Sequence, residues 1–172
     1  MNAEQYKCLS APFRANDARI RALHTASRFL ELLFYIAYPA LIGLLVITGP
    51  SASDSGTFNS LLLPCLLVPA FGFAIVSALR KLVNAPRPYE ALDIDPIIHK
   101  DTKGQSFPSK HAFSSLMIAL CWLHFYSPVG VLLIIGAVIL AILRVITGVH
   151  FPKDVIAGTL IALTLGLLIP LW

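Results

Sequence analysis

The sequence predicts an all-α fold: a polytopic transmembrane helical bundle of about five spans, preceded by an amphipathic interfacial helix. Three observations carry this. Hydrophobic residues make up 57% of the 172 and charged residues only 13%, about half the charged share of an ordinary soluble domain. Apolar stretches of spanning length, about 20 residues each, recur along the chain. Ionisable residues gather at the ends of those stretches and leave their middles nearly clean. This composition excludes disorder, because so much apolar surface would not stay solvated. It also excludes a soluble nucleic-acid binder: the net charge is +4, but the basic residues form no long run. Cys8, Cys65 and Cys121 are scattered and odd in number, so neither a disulfide framework nor a C-x-x-C site is present.

The elements follow in order. Residues 1–28 read as a basic amphipathic segment, with Arg14, Arg19, Arg21 and Arg28 alternating with Phe13, Ile20 and Leu23. Such a helix lies on a membrane surface and runs into the first span. Residues 29–172 read as one transmembrane domain. Its first span, 29–48, has Glu31 as its only charge. The second, 61–79, has none. The third, 108–126, has a polar first turn. The fourth, 128–149, carries Arg144 near its end. The fifth, 155–172, is uncharged. Only Ser127 separates the third span from the fourth, so those two should form a tight hairpin. Pro39, Pro64, Pro69 and Pro170 fall inside spans, where they read as kinks whose freed carbonyls find partners on neighbouring helices.

Topology then gathers the charges. Ends of successive spans alternate sides. The end of span two, the start of three, the end of four and the start of five therefore share one face. Arg80, Lys81, Arg87, Lys110 and Arg144 converge there with His111, His150 and Asp154. Cations in that number predict an anion site at the membrane interface. A simple positive-inside bias would account for the cations but not for the histidines or the carboxylate. A transporter would place its polar residues at mid-membrane depth, which is clean here.

Three segments carry a family likeness. Arg80-Lys81-Leu82-Val83-Asn84-Ala85-Pro86-Arg87-Pro88 resembles K-x6-R-P. Phe107-Pro108-Ser109-Lys110-His111 resembles P-S-G-H. The run from Arg144 through His150 to Asp154 resembles S-R-x5-H-x3-D. In this order they resemble the type-2 phosphatidic acid phosphatase family, over roughly residues 29–172. The resemblance implies a metal-independent, cofactor-free hydrolysis of a lipid phosphate or diphosphate monoester through a phosphohistidine. His150 is then the nucleophile, His111 the general acid and base, and Asp154 the group that orients His150. Arg80, Lys81, Arg87, Ser109, Lys110 and Arg144 are the phosphate-binding candidates. Physical chemistry agrees: arginine forks grip phosphate oxygens bidentately, a helix N-terminus favours an anion, and a carboxylate on one ring nitrogen leaves the other free to attack. No carboxylate cluster suited to magnesium is present.

The family pattern is departed from at three places. Arg80 stands where the pattern has lysine, with Lys81 one residue out of register; Lys110 replaces the glycine; Leu143 replaces the serine. With both histidines and the aspartate intact, the resemblance still implies activity. A catalytically impaired lipid-phosphate binder and a phosphotransferase using the same histidine are the alternatives. The compact form is similar to bacterial members, which favours undecaprenyl diphosphate or phosphatidylglycerophosphate as substrate, with phosphatidate possible. The loop holding Glu90, Asp93, Asp95, His99, Lys100, Asp101 and Lys103 is expected to cover the phosphate site. Tyr89 is expected at the pocket mouth, His99 and His124 as solvated or structural, His24 in the amphipathic flank, and Trp122 and Trp172 as packing or interface anchors. A basic N-terminus places the site on the cytoplasmic face of a multi-pass cell-membrane protein. The expected partners are the lipid substrate and the bilayer, with no nucleic acid; the oligomeric state is not legible.

Overall fold

The computed structural model describes residues 1–48, 59–92, 94–99 and 102–169. Pro170, Trp172, Asp93, Lys100 and Asp101 lie outside the described residues. The described chain is helical: α1 (Ala3–Arg14), α2 (Asp17–Thr48), α3 (Asn59–Val83), the single turn α4 (Pro88–Ala91), α5 (Lys110–Phe125), α6 (Ser127–Ile146) and α7 (Pro152–Gly166). Helices α2, α3, α5, α6 and α7 correspond to the five apolar stretches. Three segments, Asp17–Thr48, Leu61–Ala91 and Ser127–Ile146, are long and apolar enough to cross a membrane. Helices α5 and α7 are shorter, 16 and 15 residues, or about 24 and 22 Å at 1.5 Å per residue. Ser109, just before α5, and Asp154, in the first turn of α7, are both buried.

The basic N-terminal segment holds two helices: α1, and the first part of α2, which runs on into the first span. Asn2 and Gln5 close a capping box at the start of α1. The helix then breaks at Ala15–Asn16, where the Asn16 side chain accepts from the Ala18 amide at 2.8 Å and starts α2 afresh. On α1 only Tyr6 and Ser10 are buried, and the helix packs on α2 and α6.

Helix α5 lies at the centre, packed against α6, α7, α3 and α2. The hairpin expected between spans three and four is present, with Tyr126 alone separating α5 from α6. Its core includes Phe34, Leu41, Val76, Phe113, Met117 and Leu140. Large apolar side chains such as Phe29, Ile36, Leu132, Ile139, Ile156 and Leu160 point outward instead, a surface that suits lipid. In lipid, helices associate through close packing rather than through the hydrophobic effect. At Gly158 of α7 an added Cβ would sit 2.5 Å from the Ser109 carbonyl oxygen, so glycine is what lets α7 approach the start of α5.

Pro69 is accommodated as expected for a membrane bundle. Pro69 has no N–H to give Cys65 four residues earlier. The Cys65 carbonyl accepts instead from the Tyr38 hydroxyl of α2 at 3.0 Å. Pro39 and Pro64 also lie within helices. Trp122 is a packing anchor: buried, its indole N–H donates to the Ala37 carbonyl at 2.9 Å.

Candidate active site

The site is assembled where α3 and α6 end and α5 and α7 begin. The spacing from Arg144 to His150 has a local cause. Helix α6 ends at Ile146, and Gly148 takes a left-handed conformation with φ of +77°, which glycine adopts without the cost a Cβ imposes. That turn folds the chain back, so the amides of Val149 and His150 both donate to the Arg144 carbonyl, at 3.2 and 3.1 Å. The guanidinium and the imidazole are thus held by one tight turn. Pro152 opens α7 as expected, and Asp154 falls in its first turn.

The start of α5 is tied to the same place. Ser109 is the N-cap, buried, its side chain accepting from the Ala112 amide at 3.4 Å. Pro108 therefore precedes the cap rather than opening the helix. The Ser109 amide donates to the Asp154 carbonyl at 2.8 Å.

The connection from α3 to α5 is folded onto this centre by its own charges. Arg80 donates to the Pro108 carbonyl at 2.9 Å and reaches the Ser106 carbonyl at 3.5 Å. Arg87 donates through Nε to the Gly104 carbonyl at 3.1 Å. Glu90 accepts from the amides of Arg87 and Gly104. Tyr89 donates to the Thr102 carbonyl at 2.5 Å and closes the loop rather than simply lining a mouth. Arg80 and Arg87 are buried, whereas Lys81 is exposed. A step of one residue turns a helix by about 100°, so only one of the two neighbours can face the centre.

At the centre, His150, Asp154 and Ser106 are all buried. The expected direct pairing of His150 with Asp154 is long, 3.7 Å from Nδ1 to Oδ2, beyond a hydrogen bond. Ser106 fills the gap. Its hydroxyl donates to Asp154 Oδ2 at 2.5 Å and lies 3.3 Å from His150 Nδ1. Asp154 Oδ2 also accepts from the Phe151 amide at 3.0 Å. Burial pushes the His150 pKa down to about 4, helped by the nearby charges of Arg87 and Arg80 and opposed by Asp154. The ring is therefore neutral at physiological pH, the form that can act as a nucleophile.

Arg144 is almost fully buried, at 1% exposure. It donates through one terminal nitrogen to the Glu31 carboxylate of α2, while its Nε is a buried donor with no partner. Glu31, Lys110 and His111 line one cleft of about 230 Å³, together with Phe73 and Tyr35. Lys110, at the position where the motif has glycine, holds its ammonium over the Phe73 ring, 4.6 Å from the centroid.

Of the residues singled out in the sequence, the structure brings together His150, Asp154, Arg80, Arg87, Arg144 and Ser109. His111 and Lys110 line the adjoining cleft, and Lys81 is turned outward. His99 is exposed and pairs with Asp95 at 3.0 Å. His24, in the N-terminal flank, contacts the Ile97 carbonyl at 3.0 Å and fastens α2 to the loop. His124 is exposed near the end of α5. Ser106 and Glu31 were missed. Glu31 had a signal, since a lone charge in a span needs a partner; Ser106 had none beyond its place three residues before Ser109. Among the described residues, no group of three or more His, Cys, Asp or Glu is placed to hold a metal ion.

Comparison with known proteins bears on the family and the fold. The family model described as the PAP2 superfamily matches residues 61–172. No curated protein matches the chain. The crystal structure of LpxE from Aquifex aeolicus is similar in fold, with a TM-score of 0.73 at 22% identity, covering 99% of this chain and 95% of that one. A transmembrane PAP2-type phosphatidylglycerolphosphate phosphatase from Bacillus subtilis is also similar, with a TM-score of 0.51 at 25% identity, covering 95% of this chain and 90% of that one.

Proposed function

The chain belongs to the PAP2 superfamily, and on that premise we propose that it is an integral membrane phosphatase. It hydrolyses a lipid phosphate or diphosphate monoester through a phosphohistidine on His150. The observation that carries this reading is a neutral, buried imidazole set among three buried arginines, with Ser106 and Asp154 behind its Nδ1.

The steps follow from that geometry. Arg80, Arg87 and Arg144 hold the phosphoryl oxygens, and donors fixed in advance around them stabilise the redistributed charge of the transition state. The unpartnered Nε of Arg144 is a donor for one of those oxygens. Nε2 of His150 attacks phosphorus and the lipid oxygen leaves with a proton from His111. Water then attacks the phosphohistidine, giving its proton to His111 and freeing His150. Proton transfer of this kind contributes roughly 10²–10⁴-fold. A mere binder of lipid phosphate would need the arginines, but not an imidazole with one nitrogen held from behind.

The favoured substrates are phosphatidylglycerophosphate and undecaprenyl diphosphate, with phosphatidate next. The cleft lined by Lys110, His111, Phe73 and Tyr35 offers the lipid an apolar wall beside the cations. The basic residues Lys7, Arg14, Arg19, Arg21 and Arg28 support a cytoplasmic active-site face. The experiment is phosphate release in detergent from these three lipids and lipid A phosphate, for wild type and His150→Ala. Release by the wild type alone is expected; equal release by both would refute the histidine nucleophile.

A further inference from the structure

We propose that Ser106 is a positioning residue: its hydroxyl links the Asp154 carboxylate to Nδ1 of His150 and so fixes which ring nitrogen attacks. The proposal rests on the phosphatase reading above and deepens it.

The argument is one of proton counting. A serine hydroxyl has a single proton and two acceptor positions. Here it lies between a carboxylate at 2.5 Å and a ring nitrogen at 3.3 Å. Asp154 Oδ2 can only accept, so the proton goes to the shorter contact. Ser106 Oγ then has only lone pairs to offer His150, and the pairing is completed when Nδ1 carries the ring proton. That tautomer leaves the lone pair on Nε2. When Nε2 bonds to phosphorus and the phosphorus–oxygen bond to the lipid breaks, the imidazole becomes cationic. Nδ1 keeps its proton, the leaving oxygen takes one from His111, and the new charge is balanced through Ser106 by Asp154. Hydrolysis reverses the change: water bonds to phosphorus, gives its proton to His111, and the ring returns to neutral.

The position of Ser106 is fixed from several sides. Its amide donates to the Ala85 carbonyl at 2.9 Å, Arg80 reaches its carbonyl, and its side chain is buried. Asp154 is equally held, by the Phe151 amide and by Ser106 itself. Direct pairing of Asp154 with His150 would have to close a 3.7 Å gap.

The test uses the full chain in detergent, with phosphatidylglycerophosphate and phosphatidate as probes. Ser106→Ala should lower kcat by about 10- to 100-fold, the worth of a hydrogen bond to a charged group, and leave KM within about twofold. Ser106→Thr should recover most of that loss. Ser106→Ala combined with Asp154→Asn should be no slower than Asp154→Asn alone, because both changes cut one chain. If Ser106→Ala does not fold, Ser106→Thr and Ser106→Val, which share a shape but not a hydroxyl, make the same comparison. A Ser106→Ala enzyme as fast as wild type, or costs that multiply in the double variant, would overturn the relay while leaving the phosphatase reading intact. A wild type as inactive as His150→Ala on every lipid would overturn both.

Discussion

Acid should weaken this fold through His150 in a measurable and removable way. His150 is 2% exposed, and burial pushes its pKa down to about 4 from an ordinary 6.5. Above pH 6.5 the ring is neutral in both the folded and the unfolded chain, and its burial carries no protonation cost. Between 6.5 and about 4 the unfolded chain binds a proton that the folded chain refuses. Stability is therefore fully present above 6.5 and falls as the pH drops towards 4. At about 1.4 kcal/mol per pH unit, the gap is worth about 3 kcal/mol. His150→Gln removes the titration while leaving Glu31 and Asp95 in place, so their own contributions largely cancel in the comparison. The assay is thermal melting in detergent for both proteins between pH 7 and pH 4. At about 2–4 °C per kcal/mol for a chain of this size, wild type should lose roughly 6–12 °C more than His150→Gln. Parallel melting curves across that window would refute the claim that a neutral imidazole is buried here.

Three further outcomes are expected. Glu31→Ala leaves the buried Arg144 without its carboxylate; the cost should be about 3 kcal/mol, at the low end for a broken buried pair because Glu31 is itself about one-fifth exposed. Inorganic phosphate should raise the melting temperature of that variant more than that of wild type, and equal shifts would show that Arg144 does not serve the anion. Cys8 on α1 is exposed while Cys65 and Cys121 are buried, so a membrane-impermeant maleimide reports the side of α1: no labelling in intact cells and labelling after permeabilisation is the result for a cytoplasmic N-terminus, and labelling of intact cells would reverse that orientation.

What the sequence revealed and what it hid divide along a physical line. The pair Arg144 and His150, with Asp154 behind, was legible because its spacing is enforced locally by one left-handed glycine and one helix start. The gathering of α3, α5, α6 and α7 ends was legible because spans must alternate. Ser106 was hidden because its role depends on a loop folded by Arg80, Arg87 and Glu90, none of which is near it in register. The Glu31 partner was hidden because α2 and α6 meet only in the packed bundle. The break at Asn16 was present as a capping residue before Asp17, and the run of alternating arginines obscured it. Tyr6 was hidden for the same reason as Ser106. Its buried ring lies against Gly148, where an added Cβ would sit 2.7 Å from the hydroxyl oxygen, and that hydroxyl accepts from the Ile97 amide. Helix α1 thus backs the turn that carries His150.

The arginines show why the substitution of Arg80 for the motif's lysine is chemically tolerable. A guanidinium has five N–H donors in a fixed fork; an ammonium has three on a flexible stem. Arg80 uses donors on the Pro108 and Ser106 carbonyls, Arg87 uses Nε on the Gly104 carbonyl, and Arg144 uses a terminal nitrogen on Glu31. Each keeps further donors in hand. Arg80 and Arg87 thus fold the loop onto the centre, Arg144 ties α6 to α2, and each still has hydrogens to offer an anion. Binding the anion need not release the scaffold at Arg80 or Arg87, because a carbonyl and a phosphate oxygen can be served by different nitrogens. Arg144 is the exception: its scaffold partner is itself an anion, so a phosphate bound there as proposed would compete with Glu31 for one charge. Any gain in affinity from removing Glu31 must then come with a loss of fold stability, which links the two arms of the Glu31→Ala experiment.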